Sequence, residues 1–146
     1  MRIREMKEED LDQVVELEQI IFSLPWSRES FMAELTAVGH YYLVAEEEGR
    51  ILGYCGYNSV TGEGEIYNVA VRQDARNQGV GRRMLEAMLQ DGKKRGISGF
   101  TLEVRVGNSP AIHLYESLGF QAVGIRKAFY QRPTEDALIM WRYDGK

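Results

Sequence analysis

The run Arg76-Asn77-Gln78-Gly79-Val80-Gly81 follows closely on the apolar, β-branched stretch Ile66-Tyr67-Asn68-Val69-Ala70-Val71. Residue types and spacing together point to anion chemistry. The apolar stretch reads as a strand buried on both faces. Asp74 and Gln78-Gly79 mark a turn. Val80, Met84, Leu85, Met88 and Leu89 then recur at helical spacing. A strand feeding a glycine turn that opens a helix aims free backbone N–H groups and the positive end of the helix dipole at one spot, where a phosphate or pyrophosphate fits. Arg82 and Arg83 fall in the first helical turn, where cations oppose the dipole, so either an anion binds beside them or they reach away. Arg76 adds a third positive charge, while Lys93, Lys94 and Arg95 stand at the favourable end. A P-loop is excluded, because Gly81 is followed by Arg82-Arg83 rather than Lys-Ser/Thr. A dinucleotide fingerprint is excluded because Met84 stands where its third glycine belongs. A plain glycine turn capping a helix fits the same pattern.

Other reactive side chains are few. Cys55 lies between glycines and tyrosines and reads as a buried filler rather than a nucleophile. As the single cysteine it excludes an internal disulfide and suits a reducing compartment. His40 and His113 have no partner at ligand spacing, so no metal site is expected. Pro25-Trp26-Ser27 is either a hydrophobic staple beside a helix cap or one wall of a substrate cleft. The net charge of −4, without a basic block, argues against nucleic-acid binding and leaves room for a basic peptide partner. No stretch reaches membrane-spanning length and the N-terminus is charged rather than signal-like, so a cytoplasmic protein without membrane contact is expected. Residues 1–146 read as one domain.

The elements that must position these residues follow in order. Arg2 to Met6 is a short strand. Glu8, Glu9 and Asp10 open a helix with Leu11, Val14, Leu17 and Ile21 on its apolar face, ending near Pro25. Ser27 caps a second helix carrying Phe31 and Leu35. Tyr41–Ala45 and Ile51–Tyr57 form a hairpin turning at Glu48-Gly49, and Thr61–Gly64 turns the chain into the central strand. Gly96 stops the long helix. Phe100 to Val106 is a strand, with Glu103 and Arg105 on the face opposite Leu102, Val104 and Val106. Ser109, with Pro110 in the first helical position, opens a short helix that ends at Gly119. Phe120–Ile125 and Ala137–Trp141 are the last strands, and 130–136 is the loop between them. The order β-α-α-β-β-β-α-β-α-β-β is an α/β domain with a mixed sheet.

With those residues in place, the chain resembles the GNAT-type N-acetyltransferases. Arg76-x-x-Gly79-x-Gly81 after a strand matches their Gln/Arg-x-x-Gly-x-Gly/Ala signature, and Leu114-Tyr115-Glu116-Ser117-Leu118-Gly119-Phe120 matches their second one. It is more closely similar to the RimI-type branch, which acetylates the N-terminal alanine of the eighteenth small-subunit ribosomal protein. The carrying residues are Pro25-Trp26-Ser27, Asn68-Val69-Ala70-Val71, Leu102-Glu103-Val104-Arg105 and Glu135-Asp136-Ala137-Leu138-Ile139-Met140, so the likeness spans nearly the whole chain. Leu24 stands where a phenylalanine is common and Phe129-Tyr130 replaces a tyrosine pair, both on the acceptor side.

The resemblance implies a GNAT fold with about seven strands and about four helices, splayed where acetyl-CoA lies. It implies that Val69, Ala70 and Val71 pair through their backbone with the pantetheine arm, and that Asn77, Gln78, Gly79, Val80, Gly81 and Arg82 hold the pyrophosphate. The Val71 N–H would donate to the thioester oxygen, and Asn108 matches a CoA contact. Glu103 matches the proton acceptor for the attacking amine and Tyr115 the proton donor to the leaving thiolate. Trp26 and Tyr130 would flank the acceptor, with Glu135 and Asp136 drawing a basic peptide tail. The implied partner is the N-terminal peptide of a small-subunit ribosomal protein, with acetyl-CoA as cosubstrate and no metal. Lysine side chains or small amines are alternative acceptors. An acyl-CoA-sensing module without turnover is a third reading, against which the presence of both Glu103 and Tyr115 speaks.

Overall fold

The computed structural model describes residues 1–143. Strands β1 (Arg2–Glu5), β2 (His40–Glu47), β3 (Arg50–Val60), β4 (Glu63–Val71), β5 (Gly99–Arg105), β6 (Gln121–Tyr130) and β7 (Glu135–Tyr143) form one sheet in the order β1-β2-β3-β4-β5-β7-β6. Helices α1 (Leu11–Ile21) and α2 (Arg28–Thr36) cover one face, and α3 (Val80–Lys94) and α4 (Ser109–Ser117) belong to the other. The order and type of the strands and helices are those expected from the sequence, and the architecture is the mixed α/β fold anticipated.

The core divides by face. Leu11, Val14 and Leu17 of α1 pack with Phe31, Tyr42 and Tyr54. Met84, Leu85, Met88 and Leu89 of α3 pack with Tyr57, Phe100, Leu102 and Met140. Full burial of each such side chain stabilises by about 1.5–3 kcal/mol. Gly92 lets α3 sit close against the sheet, since a Cβ there would stand 2.3 Å from the Phe100 ring. The α2 start is built as its sequence suggests: Ser27 Oγ accepts the Ser30 N–H at 3.1 Å. Trp26 then packs on Phe31, its ring 5.4 Å away, as a staple.

All strand pairs are antiparallel except β4 with β5, which runs parallel through only two registered pairs, Gly64↔Phe100 and Glu65↔Thr101. Beyond Glu65 the two strands diverge and leave one edge of β4 open. The splay coincides with a bulge: register shifts between Tyr54 and Gly56 on β3, where Asn68 of β4 takes φ 46°. The extra residue reverses the facing of everything after it. Ile66 points into the α3 core, whereas Ala70 points into the α1–α2 core.

That geometry corrects the expectation of a central strand buried on both faces. Tyr67, Asn68, Val69 and Val71 are only half-buried, because among the described residues no strand covers the diverged edge. Two boundaries also differ. The α4 cap is Asn108, whose Oδ1 accepts the Ala111 N–H at 3.3 Å, rather than Ser109. Strand β6 continues to Tyr130, which pairs with Glu135 instead of opening a loop.

Candidate active site

The gap between β4 and β5 opens into a cleft of about 1200 Å³. Its lining includes Trp26, Tyr67 and Val69 on one side and Glu103, Tyr115 and Tyr130 on the other. A smaller recess of about 330 Å³ between β2 and the end of α3 carries none of these groups. Its charges neutralise each other, with Arg95 paired to Asp91 at 2.9 Å and stacked on Tyr41.

The open edge of β4 is a backbone surface. The Arg72 N–H donates to Leu52 O at 2.7 Å, so Arg72 faces β3. Alternation along a strand then turns the N–H and C=O of Val71 and Val69 toward the gap and those of Ala70 toward β3. Of the three residues expected to pair with pantetheine, two present hydrogen-bonding groups and Ala70 does not. The Val71 carbonyl already accepts from Arg76 Nε at 3.2 Å, while its N–H stays available.

The turn that follows carries Asn77 at φ 63° and Gly79 at φ 81°. Gly79 is the α3 N-cap in left-handed conformation, which glycine adopts without the penalty a side chain would bring. Among the described residues, the backbone N–H groups of Asn77, Gln78, Gly79, Val80, Gly81 and Arg82 donate to nothing in the chain. They form an anion cradle at the helix N-terminus. The arginines reach away: Arg82 donates to Ser117 Oγ at 2.6 Å and Arg83 to the Met1 carbonyl at 3.5 Å. The cradle therefore rests on backbone amides, without needing those charges.

On the opposite wall, Glu103 projects from β5. Its side chain is 22% exposed, and Arg126 Nε lies 2.5 Å from Oε2. That contact lacks hydrogen-bond alignment, and Oε2, shut off from solvent, has no hydrogen-bond partner among the described residues. The tyrosines nearby keep their protons. Burial pushes the Tyr115 phenol well above its ordinary value, with the Tyr130 and Cys55 groups adding to the shift. Burial, and then the Glu103 charge, pushes Tyr130 up to about 12. The Tyr115 ring packs on Phe120 at 5.9 Å, while its hydroxyl has no hydrogen-bond partner among the described residues. Cys55 is fully buried, and burial pushes its thiol up to about 12, which leaves no thiolate for a covalent route.

On the side where the acceptor is expected, the acidic residues carry partners of their own. Glu135 accepts from Gly107 N–H at 2.7 Å and pairs with Arg105 at 3.2 Å. Asp136 accepts from Ala128 N–H at 2.8 Å and pairs with Lys127 at 3.5 Å. Both carboxylates thus have partners within the chain, Glu135 more firmly than Asp136, whose ionic partner Lys127 is 85% exposed. Arg105 also donates to Gln131 O and Pro133 O, each at 3.0 Å, and lies 4.5 Å over the Tyr130 ring. Asn108 lines the cleft, but its side chain is engaged as the α4 cap.

Glu18 was not singled out from the sequence. It is 1% exposed on α1. It accepts the Trp26 N–H at 2.9 Å and the Tyr54 hydroxyl, with Asn68 Nδ2 at 3.4 Å. The Tyr54 phenol is pushed up by burial and by the Glu18 charge, so it remains the donor. One buried carboxylate thus ties the Trp26 corner to the β4 bulge. The signal was present: Glu18 falls four residues after Val14, inside the apolar stripe of α1, where a charge needs a reason.

Among the described residues, no group of three side chains suits a metal ion, and no helix is long and apolar enough to cross a membrane. The model of the acetyltransferase (GNAT) family matches residues 11–120. The chain is 36% identical over 144 residues to the [ribosomal protein bS18]-alanine N-acetyltransferase of Escherichia coli (strain K12), covering 94% of each. A Bacillus subtilis (strain 168) protein carrying the same name in provisional form is 40% identical over 140 residues, covering 95% of this chain and 93% of its own. The crystal structure of the ribosomal-protein-S18-alanine N-acetyltransferase from Escherichia coli superimposes with a TM-score of 0.91 at 32% identity, covering 99% of this chain and 94% of that one.

Proposed function

The chain belongs to the acetyltransferase (GNAT) family, and from that premise we propose that it moves the acetyl group of acetyl-CoA onto the α-amine of an N-terminal alanine in a small-subunit ribosomal protein, in the cytoplasm. The observation that carries this is a cleft lined by the open edge of β4, by Glu103 and by Tyr115, with Arg76 in its lining leading on to the amide cradle at the start of α3. The sequence relatives and the superimposed structure, with their names, support the choice of acceptor.

The residues fit acetyl-CoA. The amides of Asn77 to Arg82 would hold its diphosphate, Val69 and Val71 its pantetheine arm, and the Val71 N–H the thioester oxygen. When bound, it supplies an activated acyl group. The chain's own work is with protons. An α-amine has a pKa of about 8, so a modest base suffices. Glu103 takes that proton directly or through one water. Tyr115 stays protonated at any physiological pH and offers its O–H to the charge that develops on the departing sulfur. In this reading Tyr115 is the proton donor to that departing thiolate, the role that the family resemblance gives it. Trp26 and Tyr130 close the acceptor side, and Arg105 with Glu135 fixes the hairpin that carries Tyr130.

Turnover of acetyl-CoA with the N-terminal peptide of the ribosomal protein, compared with the same peptide blocked at its terminus, tests the proposal. Acetylation confined to the free terminus is expected. Label on lysine side chains, and none on the terminus, would overturn the choice of acceptor.

A further inference from the structure

Two of the arginines that line the cleft are in opposite circumstances. Arg105 is held by two backbone carbonyls, by Glu135 and by the Tyr130 ring. Arg126, on the edge strand β6, is 58% exposed and among the described residues has only Glu103 as an ionic partner, with the Phe129 ring 5.3 Å away. Its Nε approaches Glu103 Oε2 to 2.5 Å yet makes no aligned hydrogen bond. Among the described residues Glu103 accepts no hydrogen bond at all, so its carboxylate is neutralised but not satisfied. An arginine attached to an outer strand and bathed in solvent swings away with little loss, because exposed pairs of this kind contribute only about 0–1 kcal/mol. An ammonium group, with three donors free to rotate, satisfies the same carboxylate better.

We propose that Arg126 is the resident counter-ion of Glu103, displaced by the ammonium of the arriving acceptor. The pair balances the carboxylate's charge while the cleft waits. The exchange swaps one cation for another, so no net charge is buried at the moment of binding. Arg126 is thus a positioning residue that competes with the acceptor and filters against amines too weakly held to win the exchange. This rests on the assignment of Glu103 as proton acceptor.

The first test is kinetic. Arg126→Gln should lower the acceptor KM about two- to fivefold, the worth of an exposed ion pair, and Arg126→Lys should restore it toward the parent value. In a Glu103→Gln background, Arg126→Gln should leave the KM of that background unchanged. A KM that rises, or that stays unchanged while Glu103 is present, overturns the proposal in favour of a fixed brace or a direct acceptor contact. The second test is spectroscopic and needs no turnover. The Arg126 13Cδ–1Hδ cross-peak, carried on carbon and so not lost to solvent exchange, should move in Glu103→Gln relative to the CoA-loaded protein, and should move toward that same position on titration with the alanine peptide. A cross-peak that stays in place at saturating peptide overturns displacement. If the peptide neither binds nor is acetylated, the acceptor assignment fails by itself; methylammonium then replaces the peptide in the titration, and a cross-peak that stays in place at saturation overturns this proposal too.

Discussion

The two walls of the cleft are built on different principles. The wall we assign to the cofactor, from Val69 into the turn that ends at Arg82, offers backbone: a strand edge that no other strand pairs and a run of N–H groups with no acceptor, among the described residues. The acceptor wall offers side chains that are nearly all tied to one another, through Glu18, Arg105, Glu135 and Asp136. Backbone recognition suits a ligand that is the same in every cycle. A braced wall of side chains holds a shape, and shape selects among acceptors.

The contrast is open to attack by mutation, beginning where the effect is largest. Glu103→Gln removes the proton acceptor and should lower kcat about a hundredfold, with acetyl-CoA affinity unchanged by titration calorimetry. A smaller loss would mean that the acceptor arrives already neutral. Glu18→Gln leaves three donors facing an amide and should destabilise the fold by about 1–3 kcal/mol, read by denaturant unfolding. It should raise the acceptor KM, while acetyl-CoA binding moves little. If both substrates lose affinity equally, the walls are not independent. Gly79→Val forces a β-branched residue to φ 81° and should raise the acetyl-CoA KM about tenfold, the equivalent of about 1.4 kcal/mol, with the acceptor KM spared. Glu135→Ala frees Arg105 and the hairpin and should raise the acceptor KM about threefold, roughly what one partly exposed ion pair contributes. A change in acetyl-CoA binding instead would place that hairpin on the wrong wall.

The same contrast explains what the sequence made visible. The cofactor wall was legible because glycine at Gly79 and Gly81, followed by an apolar period of helical spacing, writes its backbone geometry into composition. Even so, the bulge at Asn68 was missed. A single residue at positive φ leaves no periodic trace, and neither does the divergence of β5, which is why the strand is half-buried where full burial was expected. The acceptor wall was legible only in part. Trp26 was placed between two roles and holds both, as staple on Phe31 and as cleft lining. The pairings of Glu135, Asp136 and Arg126 join residues brought together by the β6–β7 register, which sequence spacing alone does not specify.

Cys55 gives the chain a built-in gauge of its own opening. It is the single thiol of the molecule, wholly enclosed and reluctant to ionise. Iodoacetamide should therefore ignore the native protein and react only when the interior is breached. The labelling rate would count excursions of the sheet away from α3, and acetyl-CoA, by bridging both, should slow that clock in proportion to how firmly it is held.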